Sequence, residues 1–440
     1  MRQLVGRRPL PSAGKVPVVA RARIFSTKQL LCNDLRRNMT SQNILILSSN
    51  TGGGHWSAAK ALENSLVSLS PDDILVKITQ VLEEANLISR KAADLYNFLL
   101  RDHQNLMKYY FWIINKLRPN ESKLIFKAAM GYGMRIFDRM VPSAIISVHP
   151  MTQHFFGYIL RRLNLKDRVP LITVVTDPYQ GFWHGWACDD VCQYYVASDN
   201  AKKQLIEFGV PEERISIQGM PVHSRFHPVS EAEKRLFKVS LGLSPDKFTI
   251  FINAGWIGGG NIPAIYEALL RNAGQADLSD IQVIFLAGQN QELQQQAEAR
   301  GQSAPFPVKV LGYTQHIERL MQASDVMVSK LGGLTTFEAL NCRLPIIADV
   351  VTPPMPQEAQ TATFLDASGA GVMLKKPEQI ISVIKSLIDS PQYYHSLREA
   401  AAIHGRPGAS DRIAQDVLKF LEQPVSVEQA THSLSERSFG

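Results

Sequence analysis

Cysteine is scarce, with four residues in 440: Cys32, Cys188, Cys192 and Cys342. Four thiols in so long a chain make no disulfide framework, and a reducing compartment is expected. His184, Cys188 and Cys192 have loosely ligand-like spacing, but no fourth ligand accompanies them and no zinc site is read there. No apolar run is long enough to span a bilayer. The chain holds no Asp-x-Asp pair to ligate a divalent ion on a diphosphate, no Gly-Lys-Ser/Thr phosphate loop and no G-x-G-x-x-G fingerprint. Acids are almost missing from residues 1–38, where nine Lys and Arg face only Asp34. That stretch is +8 in a chain of +7, so the remainder sums to −1 and offers no basic core for nucleic acid.

Three readings fit the acid-poor tail. It resembles an organelle transit peptide. It can be upstream sequence read from a mis-set start, since Met39 stands just before the first apolar run. It can also be a polybasic arm for anionic lipid. In each case the tail is set aside from the fold.

What is present is alternation. Asn43–Ser49 is a short apolar strand of the buried parallel type, and helical spacing runs from His55 to Val67. Strand-like runs recur at 73–79, 143–149, 171–176, 191–197 and 214–218, with a long helical, aromatic-rich stretch over 80–138. After the proline-containing linker "GMPVHSRFHPVS", further strands are expected at 248–253, 281–287, 308–311, 326–329 and 344–348. Such alternation predicts two doubly wound α/β domains with ligands in the cleft beyond the strand ends. The expected limits are a basic tail at 1–40, a first α/β domain at 41–225, a second at 226–422 and a polar, disordered tail at 423–440; the resemblance described below makes the first the acceptor and membrane side and the second the nucleotide-sugar side.

Four loops after strands carry the chemistry. "TGGGH" puts Gly53 and Gly54 at a sharp turn before a helix, where free N–H groups and the helix dipole favour a diphosphate or oxyanion. His55, in the first turn, is disfavoured as a cation there, which suits a general base. A bystander histidine on a tight turn and a phosphate contact are the competing readings. The second loop, Gly255-Trp-Ile-Gly258-Gly-Gly, suits a diphosphate but is weak alone. In "SKLGGLTTFEAL", Lys330 supplies a cation, Gly332 and Gly333 open a helix, Thr335 offers a hydroxyl and Glu338 can take both hydroxyls of a ribose. In "PPMPQEAQ", Gln357 and Glu358 suit sugar hydroxyls. Helix capping is the bland account of each, weakened because the loops follow successive strands.

These stretches, with "VVTDPY", "FWH" and "YYVASDNAKKQLIEFGVPEERISIQGMPV", resemble the diacylglycerol glycosyltransferases. That family includes plant monogalactosyldiacylglycerol synthase and bacterial processive diacylglycerol glucosyltransferases, relatives of the lipid II N-acetylglucosaminyltransferase. The resemblance runs from about Gln42 to Phe420. It implies a GT-B fold, a UDP-sugar held mainly by the second domain, a lipid acceptor at the first, and metal-free inversion. His55 then matches the proposed base or phosphate contact, Gly332, Gly333, Thr335 and Glu338 the nucleotide helix, and Gln357 and Glu358 the sugar pair. Pro356 stands where the family usually has Gly, Leu331 replaces a usual proline, and Trp56 follows the histidine where smaller or polar residues are common. The first departure leaves glucose versus galactose open.

Residues 92–119 mix aromatics with Lys and Arg, and Tyr109, Tyr110 and Trp112 read equally as a lipid-facing surface or a buried helical hairpin. Trp183, His184 and Trp186 are placed on the acceptor channel, and Asp177 as an orienter of His55 or a second base. The expected activity is transfer of galactose or glucose from UDP-galactose or UDP-glucose to diacylglycerol, with no cofactor and no nucleic acid partner. The expected place is the cytoplasmic side of an anionic membrane, or a plastid-like envelope if the tail is a transit peptide. The rivals are an N-acetylglucosaminyltransferase acting on a polyprenyl-linked peptidoglycan precursor, a nucleotide-sugar epimerase, and a silent UDP-sugar-binding regulator.

Overall fold

The computed structural model describes residues 42–51, 54–102, 106–255, 259–272, 278–352 and 356–422. Gly53, Gly258 and both tails lie outside the described residues.

Twelve strands among the described residues form two six-stranded sheets. The first contains β1 (Gln42–Ser48), β2 (Ile74–Gln80), β3 (Ala144–Ser147), β4 (Leu171–Val174), β5 (Gln193–Val196) and β6 (Ile215–Ile217), in the order β2-β1-β3-β4-β5-β6. The second contains β7 (Phe248–Asn253), β8 (Ile281–Leu286), β9 (Val308–Leu311), β10 (Val326–Ser329), β11 (Ile346–Asp349) and β12 (Gly371–Leu374), in the order β12-β11-β10-β7-β8-β9. Pairing is parallel from β1 through β6 and throughout the second sheet. The reason is visible in the strands: Ile44, Leu45, Ile46 and Leu47 are all fully buried, and so are Val283, Ile284 and Phe285. Strands without a polar face need helices on both sides, which only crossover connections supply.

The helices that position the site are α1 (Gly54–Leu69), α2 (Val81–Ala85), α3 (Leu87–Asp102), α4 (Met107–Leu117), α5 (Gly333–Asn341), α6 (Pro356–Ser368) and α7 (Ala409–Glu422). The last of these leaves the second sheet and packs back on α1, where Ser65 Oγ donates to Asp411 Oδ1 at 2.6 Å. Arg412 Nη2 donates to the Gln218 carbonyl at 2.7 Å, which ties the two chain crossings together.

Asp325, just before β10, anchors the strand that ends at Lys330. It is buried, bonded by Lys234 and, at 3.0 Å, by Lys238 Nζ, and it accepts the Thr249 N–H at 2.7 Å. Burial works against the charge, but the two ammonium groups win and hold the carboxyl below its usual range. Asp325→Ala would leave two buried ammonium groups uncompensated and is expected to lower stability by about 3–5 kcal/mol in urea melts.

Candidate functional site

His55 is the second residue of α1. Its Nδ1 lies 2.7 Å from the Val148 carbonyl and 2.9 Å from Thr176 Oγ1. A carbonyl only accepts, so Nδ1 carries the proton and Nε2 keeps a lone pair. Burial pushes the imidazole down to about 4 against the raising effect of the Val148 carbonyl. The ring is neutral across the physiological range. His149 lies edge-on to it at 4.7 Å, itself held well below the usual histidine range by burial and by His55.

Asp177 takes a different place from the one expected. Trp186 Nε1–H donates to its Oδ2 at 2.7 Å, and burial raises the carboxyl. His55 Nδ1–H is instead directed at the Val148 carbonyl, with Thr176 Oγ1 beside it, and these residues follow β3 and β4.

The loop after β4 reaches the second half of the chain. A Cβ on Gly333 would come within 3.3 Å of Pro178 Cδ and 3.4 Å of the Thr176 carbonyl. The start of α5 therefore abuts the residue that holds His55. Tyr179 packs on Phe364 of α6 at 5.8 Å, and Phe364 stacks on Phe337 at 5.5 Å. Gly332 is the N-cap of α5 and makes no side-chain capping bond, so the first N–H groups of the helix have no capping side chain. Thr335 sits in that first turn.

Gly255 and Gly260 both have positive φ, at 81° and 73°. A Cβ on Gly260 would collide with the Lys330 side chain, so that glycine lets the lysine lie over the loop. Asn261 Nδ2 donates to Asp349 Oδ1 at 3.0 Å and to Thr352 Oγ1 at 3.1 Å. The loops after β7, β10 and β11 thus converge. Gln357 and Glu358 open α6, and their side chains lie outside the described residues. Glu338 is pushed up to about 7 by burial, against Arg225 and reinforced by Glu318. Arg225 Nε lies 3.4 Å from Glu318 Oε2.

Trp183 is partly buried, and its Nε1 is among the described buried polar atoms without a partner. The described residues within 92–119 form the end of α3, and α4, and they expose apolar side chains that a buried hairpin would cover. Ile88 is 79% exposed, Trp112 61% and Leu117 72%, and Tyr109 is also exposed. Tyr110 is half-buried against Tyr96 at 5.6 Å. Lys116 Nζ sits 5.2 Å from the Trp112 ring. Among the described residues no helix is long and apolar enough to cross a membrane.

Sequence reasoning missed Val148, Thr176, His149, Arg225 and Glu318, and it placed Trp186 on the acceptor channel without foreseeing its bond to Asp177. The only available signal for His149 and Thr176 was their position at strand ends.

Residues 55–222 match the family model for monogalactosyldiacylglycerol synthase, and residues 257–413 match the glycosyltransferase family 28 C-terminal domain. The processive diacylglycerol beta-glucosyltransferase of Bacillus subtilis is 27% identical over 89% of this chain and 98% of its own. The probable monogalactosyldiacylglycerol synthase 2, chloroplastic, of Oryza sativa is 27% identical over 91% of this chain and 85% of its own. Among solved structures, MurG of Acinetobacter baumannii has a TM-score of 0.58 at 16% identity, over 86% of this chain and 99% of that one. UDP-GlcNAc 2-epimerase of Neisseria meningitidis has a TM-score of 0.56 at 14% identity, over 86% of this chain and 100% of that one. At such identities the structures speak for the fold alone, which is the two-domain α/β GT-B architecture of glycosyltransferases. Within that class, the chain is similar to the monogalactosyldiacylglycerol synthases and the processive diacylglycerol glucosyltransferases.

Proposed function

We propose that the protein is an inverting, metal-independent glycosyltransferase that moves galactose or glucose from a UDP-sugar to the sn-3 hydroxyl of 1,2-diacylglycerol. The observation that carries this reading is His55, neutral and with a bare Nε2, beside the strand end that abuts the α5 N-terminus. The acceptor hydroxyl oxygen attacks the anomeric carbon, its proton passes to Nε2, and the bond to UDP breaks on the opposite face. A histidine acting as a phosphate contact would need a proton on Nε2 as well. With Nδ1–H kept by Val148, that requires the imidazolium, which burial disfavours. Charge on the departing UDP is met by the N–H groups of Gly333 to Thr335 and by Lys330. Glu338 takes the ribose hydroxyls, and Gln357 and Glu358 the sugar.

The lipid reaches the site from an anionic membrane on which α3 and α4 dock as a peripheral surface. Exposed Ile88, Trp112 and Leu117 enter the headgroup region while Lys91, Lys116 and Arg118 meet anionic lipid. Ile88→Glu with Trp112→Glu is expected to weaken sedimentation with anionic vesicles by about 100-fold or more. Because both side chains are exposed, the melting temperature should stay put.

The reading is tested by incubating the protein with labelled UDP-glucose, UDP-galactose or UDP-N-acetylglucosamine and diacylglycerol liposomes. Labelled glycolipid from one of the first two donors is expected. No labelled lipid from any donor overturns the reading, and free epimerised nucleotide sugar would support the epimerase instead.

A further inference from the structure

Transfer as proposed uses one imidazole of a pair. His149 lies just past β3, as His55 lies past β1, and the two ring centroids are 4.7 Å apart. The His149 backbone is locked. The Ser147 and Thr152 hydroxyls lie 3.0 and 3.1 Å from its carbonyl, and the Thr152 N–H donates to the same oxygen at 3.2 Å. The Met151 N–H donates to His149 Nδ1, also at 3.2 Å. A backbone N–H only donates, so Nδ1 holds a lone pair. Burial keeps the ring neutral, and its one proton therefore sits on Nε2. His55 has the reverse arrangement, with the proton on Nδ1 and the lone pair on Nε2. The pair thus sets a neutral N–H donor beside a proton acceptor. Among the described residues nothing accepts from His149 Nε2–H.

We infer that His149 is a specificity residue, whose Nε2–H donates to the sn-2 ester carbonyl of the acceptor while the sn-3 hydroxyl gives its proton to His55. This rests on the diacylglycerol acceptor proposed above. Chemistry and place select the carbonyl. A donor on the attacking oxygen would draw on the electron pair that oxygen needs. The ester on the neighbouring carbon accepts and never donates, and it carries no charge. A neutral N–H matches it without bringing an ion into a buried site. Both histidines follow strands of the first sheet, whereas the groups assigned to UDP and to the sugar stand on loops of the second. One bond to the carbonyl fixes the glycerol backbone and holds the hydroxyl toward His55.

The test compares 1,2-diacylglycerol with its 1,2-dialkyl ether in the same vesicles, using the full chain. The ether keeps the hydroxyl and the chains but has no carbonyl. The unmodified protein is expected to favour the ester about tenfold in kcat/KM, the size of one neutral hydrogen bond. His149→Phe keeps a ring against His55 but has no donor. It should bring the ratio close to one, with KM for the UDP-sugar within about twofold. His149→Gln carries an N–H at similar reach and should keep most of the preference. His55→Ala, by contrast, should slow transfer to ester and ether alike. A ring that only packs on His55 predicts the opposite order, with His149→Phe near the unmodified protein and His149→Gln slow on both acceptors, and that result overturns the inference. Equal use of ester and ether by the unmodified protein also overturns it, and needs no variant to fold. A raised KM for the UDP-sugar in His149→Phe would give the N–H to the donor and overturn it too. Absence of glycolipid from both acceptors overturns the acceptor reading itself, and is seen separately in the unmodified protein.

Discussion

His55→Ala is expected to lower kcat by about 10²- to 10⁴-fold while UDP binding, measured by calorimetry, stays within about twofold. The split follows from placement. The imidazole stands on α1, which follows a strand of the first sheet, whereas the groups assigned to the nucleotide stand on loops of the second sheet. The pH dependence is equally specific. A histidine at its ordinary value would give an acid limb centred near 6.5. Burial holds His55 at about 4, so kcat should run flat through mildly acidic pH and fall only as the imidazole protonates. An acid limb of kcat near 6.5 would place the base elsewhere, and a parallel loss of UDP affinity in His55→Ala would make it a phosphate contact.

Glu338→Gln is expected to raise KM for the UDP-sugar by about 10- to 100-fold with little change in kcat, because hydrogen bonds to an ionised carboxylate contribute about 1.5–3 kcal/mol. In the unmodified protein the same group is expected to make donor binding pH-dependent. Its carboxyl is held at about 7, so below that pH it is protonated and KM climbs, by up to about tenfold per pH unit. Stability moves oppositely. The ordinary value is 4.5 and the folded value about 7, so between them the folded chain keeps a proton that the unfolded chain has released. Stability without nucleotide therefore falls as pH rises through this window, by up to about 3 kcal/mol, and is regained below it. Glu338→Gln should raise the melting temperature near pH 8 and leave it nearly unchanged near pH 4. A nucleotide-free melting temperature that ignores this substitution at both pH values contradicts the buried-carboxyl account.

Strand runs such as "NILILSS" and "FTIFIN" declared themselves because a strand buried on both faces has no alternative to continuous apolar residues. The edge strand β12 did not. "GVML" is four residues long, begins with glycine and is only partly buried, so it carries no period. His55 was legible from its glycines, but its holders were not. The carbonyl of Val148 is 93 residues away, and any residue type would supply it. Asp177 illustrates the converse. Its chemistry invited pairing with His55, and the fold gave the carboxyl to the Trp186 indole while the neighbouring Thr176 hydroxyl took the imidazole. Residues 92–119 were ambiguous for a physical reason too. Aromatics and leucines at helical spacing serve a core and an exposed surface alike, and only the exposure of Leu95, Trp112 and Leu117 tells the second from the first.

The central claim is a single displacement at the anomeric carbon, assisted by His55 and by helix N-termini rather than by a metal ion. It is tested most directly by transferring sugar from UDP-galactose or UDP-glucose to diacylglycerol in excess EDTA and reading the anomeric proton of the product by NMR. The account predicts a β-linked glycolipid formed at the same rate with and without the chelator. An α-linked product, or loss of transfer in EDTA restored by a divalent cation, would contradict it.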